Sequence, residues 1–234
     1  MTDLDDLAAI EKLDSLDMLS EVESFADKMK GAWDIGQGAA GLPDGLGVDS
    51  VVVLGMGGSG SSGDLVRALV EPRLPVPFMV VKSYGPLPEW VGRNTLVVAV
   101  SYSGNTEETL AAFEEVHERG ARVVCLSAAG RLAESAKEFG AAHIRVPPGL
   151  QPRAAVAYLM VPLLAVLARM GLIPSRLSEH VRRSARRAEG EAHAESHRNP
   201  RRNAEHREQR GVNGLASQLG ADRGADNLGA FNLA

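Results

Sequence analysis

Residues 51–62 read VVVLGMGGSGSS. Four apolar residues, Val51–Leu54, run without a polar interruption and are rich in β-branched side chains, which predicts a buried parallel strand. The run ends abruptly in glycines and serines. Gly57 and Gly58 allow close approach of the backbone and unusual φ/ψ. Ser59, Ser61 and Ser62 add hydroxyls. A helix is expected to follow, so free backbone N–H groups and the positive end of a helix dipole would face one point. That chemistry suits a phosphate group.

Outward from this stretch a βα rhythm sets in. Strands are predicted at Val51–Gly55, Phe78–Lys82, Leu96–Ser101, Arg122–Ser127 and Ala142–Val146, and helices at Gly63–Val70, Thr106–Arg119, Arg131–Phe139 and Arg153–Met170. Alternation of this kind implies right-handed crossovers and a parallel sheet. The expected class is α/β, a five-stranded parallel sheet flanked by helices in the flavodoxin-like order 2-1-3-4-5. Such sheets bind ligands beyond the carboxyl ends of their strands where the order reverses, here between strands one and three.

The third strand also ends in a polar turn. VVAVSYSGNTEETL, residues 97–110, bunches Ser101, Ser103, Asn105 and Thr106 at a strand-to-helix junction. Asn105 and Glu108 have capping-box spacing, so part of this polarity is expected to start the helix. A third signal lies in PPGLQPRAAVAYLMVPLLAVLARMG, residues 147–171. Pro152 suits a first helical turn and Gly171 a helix end. The run is apolar nearly all round, which predicts a buried helix, and Pro162 should kink it. Arg153 then stands where a cation opposes the dipole, at about 0.3–1 kcal/mol. A bound anion or a carboxylate partner would each account for it.

Upstream, Leu16, Leu19, Val22, Phe25, Ala26, Met29 and Trp33 fall at helical spacing over residues 15–33, with Asp14 or Ser15 as cap. The organisation expected is an N-terminal helix and loop packed on the domain (1–47), a binding domain (48–174) and an irregular tail (175–234). Beyond Leu177 the tail has few large apolar residues before Gly211, and glutamates interleave with its arginines. A solvated segment is expected there, and nucleic-acid binding is not. The spacing of His180, His193, His197 and His206 matches no zinc pattern, and no metal is expected. Gly211–Ala234 is too short and glycine-rich for a second domain.

Composition sets outer bounds. With 44% hydrophobic residues, 24% charged residues and a net charge of −5, the chain has the make-up of a globular protein. No apolar run reaches the ~20 residues of a membrane span, and the acidic N-terminus is unlike a secretory signal. A single cysteine, Cys125, excludes an internal disulfide and fits a cytoplasmic location. Its place within a strand marks it as core filler. Gly55–Gly60 matches G-x-G-x-x-G, but the second strand ends in Lys82-Ser83 where a dinucleotide site wants an acidic residue. No G-K-[ST] is present, which excludes a P-loop. Serines at two strand ends plus one arginine fit a small phosphorylated ligand better than a nucleotide.

GMGGSGSSGDL, SYSGNTEETL and GLQPRAAVAY, in that order, resemble the first half of the bifunctional phosphoglucose/phosphomannose isomerases, which are built from sugar-isomerase (SIS) domains. The segments Asp14–Met18 and Ala32-Trp33 fit the same family, and the resemblance covers roughly residues 10–175. It implies that Gly57, Gly58 and Ser59 cradle a sugar phosphate with Ser101, Ser103 and Thr106, and that Arg153 stabilises an enediolate. In the family an aldose phosphate opens its ring, a glutamate takes the C2 proton, and the proton returns at C1. Fructose 6-phosphate interconverts in this way with glucose 6-phosphate or mannose 6-phosphate, with no cofactor and in a homodimer.

The resemblance also implies a second SIS domain carrying that glutamate in an Asn-Glu-Asn-type motif, a histidine that reaches the neighbouring subunit, and a late lysine. None of these motifs occurs here, and the resemblance would make Asn199-Pro200 a remnant of the interdomain connection. Glu107 and Glu108, in a first helical turn, complement the dipole and are poor substitutes for the base. The expectation is a truncated or frameshifted product that binds C6 sugar phosphates with impaired catalysis. The alternatives are a non-catalytic phosphosugar-sensing module and, disfavoured at Lys82, a dinucleotide-binding protein.

Overall fold

The computed structural model describes residues 7–151 and 153–174, with isolated positions between 179 and 187. The chain divides into two units at Arg186–Arg187, and every element described here belongs to the first. The expected tail, from residue 175 on, lies essentially outside the described residues.

Five strands, β1 (Ser50–Leu54), β2 (Phe78–Val81), β3 (Thr95–Val100), β4 (Arg122–Ser127) and β5 (Ala142–Arg145), form one all-parallel sheet in the order β2-β1-β3-β4-β5. The expected class and strand order are therefore present. Alternation along each strand sorts side chains to two faces. Val51, Val53, Leu96, Val98, Val124 and Ile144 share one core with α3 (Phe25–Gln37), α4 (Gly57–Val70) and α7 (Val156–Arg169). Val52, Leu54, Val97, Ala99, Val123 and Cys125 share the other with α5 (Glu107–Glu118) and α6 (Arg131–Glu138). β1 and β3 are buried along their whole length, as strands covered on both faces must be. Burial pushes the Cys125 thiol up to about 12, in keeping with core filler. No described helix is long and apolar enough to cross a membrane.

The single helix expected over residues 15–33 is corrected to α2 (Met18–Glu23) and α3, which meet at Ser24; α1 (Leu7–Leu13) precedes them. At the break, side chains join the bonding to the α2 carbonyls, while the Ser24 N–H still reaches Ser20 O at 2.9 Å. Ser24 Oγ donates to Ser20 O at 2.7 Å, and Lys28 Nζ donates to Glu21 O at 2.9 Å while pairing with the Glu21 carboxylate. Asp14 does cap the entry: its two oxygens accept the Met18 and Leu19 N–H groups at 2.8 and 2.7 Å. Leu16 and Val22 fall outside the core at 61% and 68% exposure, whereas Ala32 and Trp33 are buried against α7. Arg169, in the last turn of α7, donates to Gly36 O and Ala39 O at 3.2 and 2.5 Å and so ties the end of α3 to the domain.

Candidate functional site

The site is built at the carboxyl ends of β1 and β3, adjacent strands at the point where the order reverses. After β1 the helix starts at Gly57, six residues earlier than Gly63, where the sequence reading put it. The glycines and serines therefore form the first two turns of α4. Its N-cap residue, Met56, is extended and supplies no side-chain bond. No N-cap side chain therefore occupies the first N–H groups of α4, the groups an anion would take. Gly57 is exposed, Gly58 half-buried, and Ser59 buried at 9% exposure. Ser62 turns inward and donates to Ser59 O at 2.6 Å.

The β3–α5 turn is organised by Ser101. This side chain is buried, and its hydroxyl lies 2.8 Å from Thr106 Oγ1 and accepts the Gly104 N–H at 3.1 Å. Ser103 is exposed and accepts the Asn105 N–H at 3.2 Å. The capping box expected of Asn105 and Glu108 is corrected: the N-cap residue of α5 is Thr106, with no side-chain cap bond. Asn105 instead caps α6, its Oδ1 accepting the Arg131 N–H at 3.0 Å. That frees the N-terminus of α5 toward the same region as that of α4.

The two turns are joined. The Tyr102 N–H donates to Ser59 Oγ at 3.3 Å across 43 residues of sequence. Its phenol reaches a third segment, donating to Pro147 O at 3.0 Å and accepting the Leu150 N–H at 2.8 Å. Immediately after that contact Gln151 O accepts the N–H groups of Ala154 and Ala155, at 2.8 and 3.1 Å, and α7 begins at Val156. The expectation that Arg153 stands in a first helical turn is thus corrected. It lies in the turn before the helix because Gln151 closes that turn first. Arg153 is exposed, and among the described residues no carboxylate pairs with it.

Tyr102 was missed from the sequence, where it stood as one aromatic between two serines. Its signal was a large ring in a turn otherwise made of small residues, which needs somewhere to bury itself. Here it packs on the core shared with α7. Charge at the rim is settled locally. Lys82, at the end of β2, pairs with Asp64 on α4. The exposed Tyr84 phenol is held above its usual range by the Glu108 carboxylate first, with partial burial and Glu107 adding to it. Among the described residues no group of histidine, cysteine, aspartate or glutamate could hold a metal ion.

Comparison with known proteins bears on the family and the fold. The SIS domain model matches residues 47–168. A bifunctional phosphoglucose/phosphomannose isomerase of Caldicellulosiruptor bescii is 38% identical over 156 residues, which is 67% of this chain and 46% of that protein. One from Thermoplasma acidophilum is 43% identical over 120 residues, 51% of this chain and 36% of that protein. This chain thus spans less than half the length of either relative. Among solved structures, the C-terminal domain of glucosamine-fructose-6-phosphate aminotransferase from Francisella tularensis superposes with a TM-score of 0.54. The match covers 75% of this chain and 54% of that one at 12% identity, a likeness of fold. With the SIS domain model matched over residues 47–168 and a five-stranded parallel sheet in keeping with it, the chain belongs to the SIS-domain family.

Proposed function

We propose that residues 48–174 bind a C6 sugar phosphate and serve the interconversion of fructose 6-phosphate with glucose 6-phosphate or mannose 6-phosphate. The observation that supports this reading is the Ser59–Tyr102 bond, which ties the turn after β1 to the turn after β3, each leading into a helix with no side-chain cap. The N–H groups of Gly57, Gly58 and Ser59, with Ser103 and Thr106, would hold the phosphate. Ser101, buried and occupied with Thr106 and Gly104, would shape the turn from behind. Arg153, exposed and unpaired among the described residues, would offset the negative charge that develops on the opened sugar.

Isomerisation moves a proton from C2 to C1, so a base must stand on the far side of the sugar. Glu107 and Glu108 head α5 next to Thr106, where both carboxylates raise the Tyr84 phenol's pKa, and a phosphate held by Thr106 would lie beside them. They would face the wrong end of the substrate. We therefore take binding to be intact and turnover by this chain alone to be impaired. The working form would be a cytoplasmic homodimer, as the family resemblance implies. Titration with fructose 6-phosphate, followed by assay for glucose 6-phosphate formation, tests both parts. Saturable binding with little turnover is expected. Absence of binding would overturn the assignment, and rapid turnover would overturn the claim of impairment.

A further inference from the structure

We propose that Tyr102 is a positioning residue that fixes the Arg153 turn relative to the two phosphate-binding turns; this rests on the phosphosugar reading above. Four bonds meet at this one residue. Its N–H donates to Ser59 Oγ at 3.3 Å, and its carbonyl accepts the Ala128 N–H at 3.0 Å. Its phenol donates to Pro147 O and accepts the Leu150 N–H, at 3.0 and 2.8 Å. The backbone half of Tyr102 thus belongs to the phosphate turns and the phenol half to the segment that carries Arg153. The ring between them is held against the core on the α7 face.

The segment has few other anchors. β5 ends at Arg145, and Val146 N–H still reaches Ser127 O at 3.1 Å. From Pro147 to Leu150, no side chain among the described residues other than Tyr102 bonds the backbone. Gln151 O then closes directly onto Ala154 and Ala155, so a shift at Leu150 is carried into the turn that holds Arg153. An arginine with no carboxylate partner among the described residues depends on its backbone for placement. Removing the phenol oxygen removes both bonds and leaves the ring and the Ser59 contact in place.

The test compares two ligands on the full chain. Inorganic phosphate reports the turns alone. Arabinonate 5-phosphate, whose carboxylate imitates an enediolate, reports the turns and the arginine together. Tyr102→Phe is expected to leave phosphate affinity within about twofold of wild type and to weaken the aldonate phosphate at least about tenfold, the loss of one hydrogen bond to a charged group. Arg153→Ala should give a similar loss, and the double variant should lose no more than Arg153→Ala alone, since both act through one guanidinium. Amide exchange at Leu150, Ala154 and Ala155 should quicken in Tyr102→Phe, a readout that needs no ligand. Unchanged aldonate affinity, parallel loss of both ligands, fully additive losses in the double variant, or unchanged exchange would each overturn the inference. A wild-type chain that binds neither ligand would overturn the phosphosugar reading, and this inference with it.

Discussion

Gly104 is the position where one methyl group should undo the candidate site. It adopts φ +73°, and a Cβ built there would lie 1.7 Å from Ala129 O and 2.8 Å from Ala129 C. Both atoms are backbone, so neither can swing aside as a flexible side chain would. The left-handed conformation alone costs about 1–2 kcal/mol for an alanine, and relief of the overlap adds about 1–3 kcal/mol. The native fold would therefore lose about 2–5 kcal/mol, which for a chain of this size lowers Tm by about 4–20 °C. The strain is not confined to stability. Gly104 N–H bonds to Ser101 O and Ser101 Oγ at 3.0 and 3.1 Å, and its carbonyl accepts the Leu132 N–H at 2.8 Å. Moving it displaces the hydroxyl that positions Thr106. Gly104→Ala should thus melt early and bind fructose 6-phosphate poorly even well below its Tm. Thermal unfolding with calorimetric titration at 15 °C reads both. A Tm within about 2 °C of wild type, with unchanged affinity, would refute the reasoning.

Three other outcomes are expected. Ser59→Ala and Thr106→Ala should each weaken fructose 6-phosphate binding roughly 10- to 150-fold by calorimetry, the effect of one lost hydrogen bond to a charged group. Cys125, with its thiol pushed up to about 12, should resist iodoacetamide at pH 8 in the native state and react once the chain is unfolded in urea. His143 lies 2.9 Å from the buried Ser127 hydroxyl, and burial, then the nearby Arg145, holds its pKa below the ordinary value. The unfolded chain takes up that proton first as pH falls. This contribution to stability is complete above about pH 6.5 and is lost as pH drops toward the native pKa. Urea unfolding of His143→Gln should show a flatter pH dependence than wild type between pH 7 and pH 5.

Strand order was legible in the sequence because each strand is a short apolar run bounded by a turn, and parallel connection leaves few arrangements. The boundaries of α4 were not. Glycine is a poor helix former, so its start was placed at Gly63, past the glycine loop. At Gly63, however, a Cβ would lie 2.9 Å from Val53 Cγ1 and 3.2 Å from Val80 Cγ1. Glycine is there to let the helix lie close on β1 and β2, and tertiary packing overrides propensity. Asn105 misled for a related reason. Its spacing to Glu108 is local, while its actual partner, Arg131, is 26 residues away. Arg153 stood out through an expected clash with a helix dipole, yet α7 begins only at Val156, because the turn closed by Gln151 O comes first and spacing does not show it. Tyr102 escaped because its four partners lie in three separate stretches of chain, around Ser59, Ala128 and Pro147–Leu150.

Two hydroxyl-bearing turns and one guanidinium are proposed to serve a single phosphorylated sugar. Calorimetric titration of the intact chain with fructose 6-phosphate, against fructose and NAD as controls, tests it most directly. Saturable binding of the phosphorylated sugar, displaced by inorganic phosphate, with neither control bound, is the expected result. Fructose binding as tightly as its phosphate, or NAD binding while the sugar phosphate does not, would contradict it.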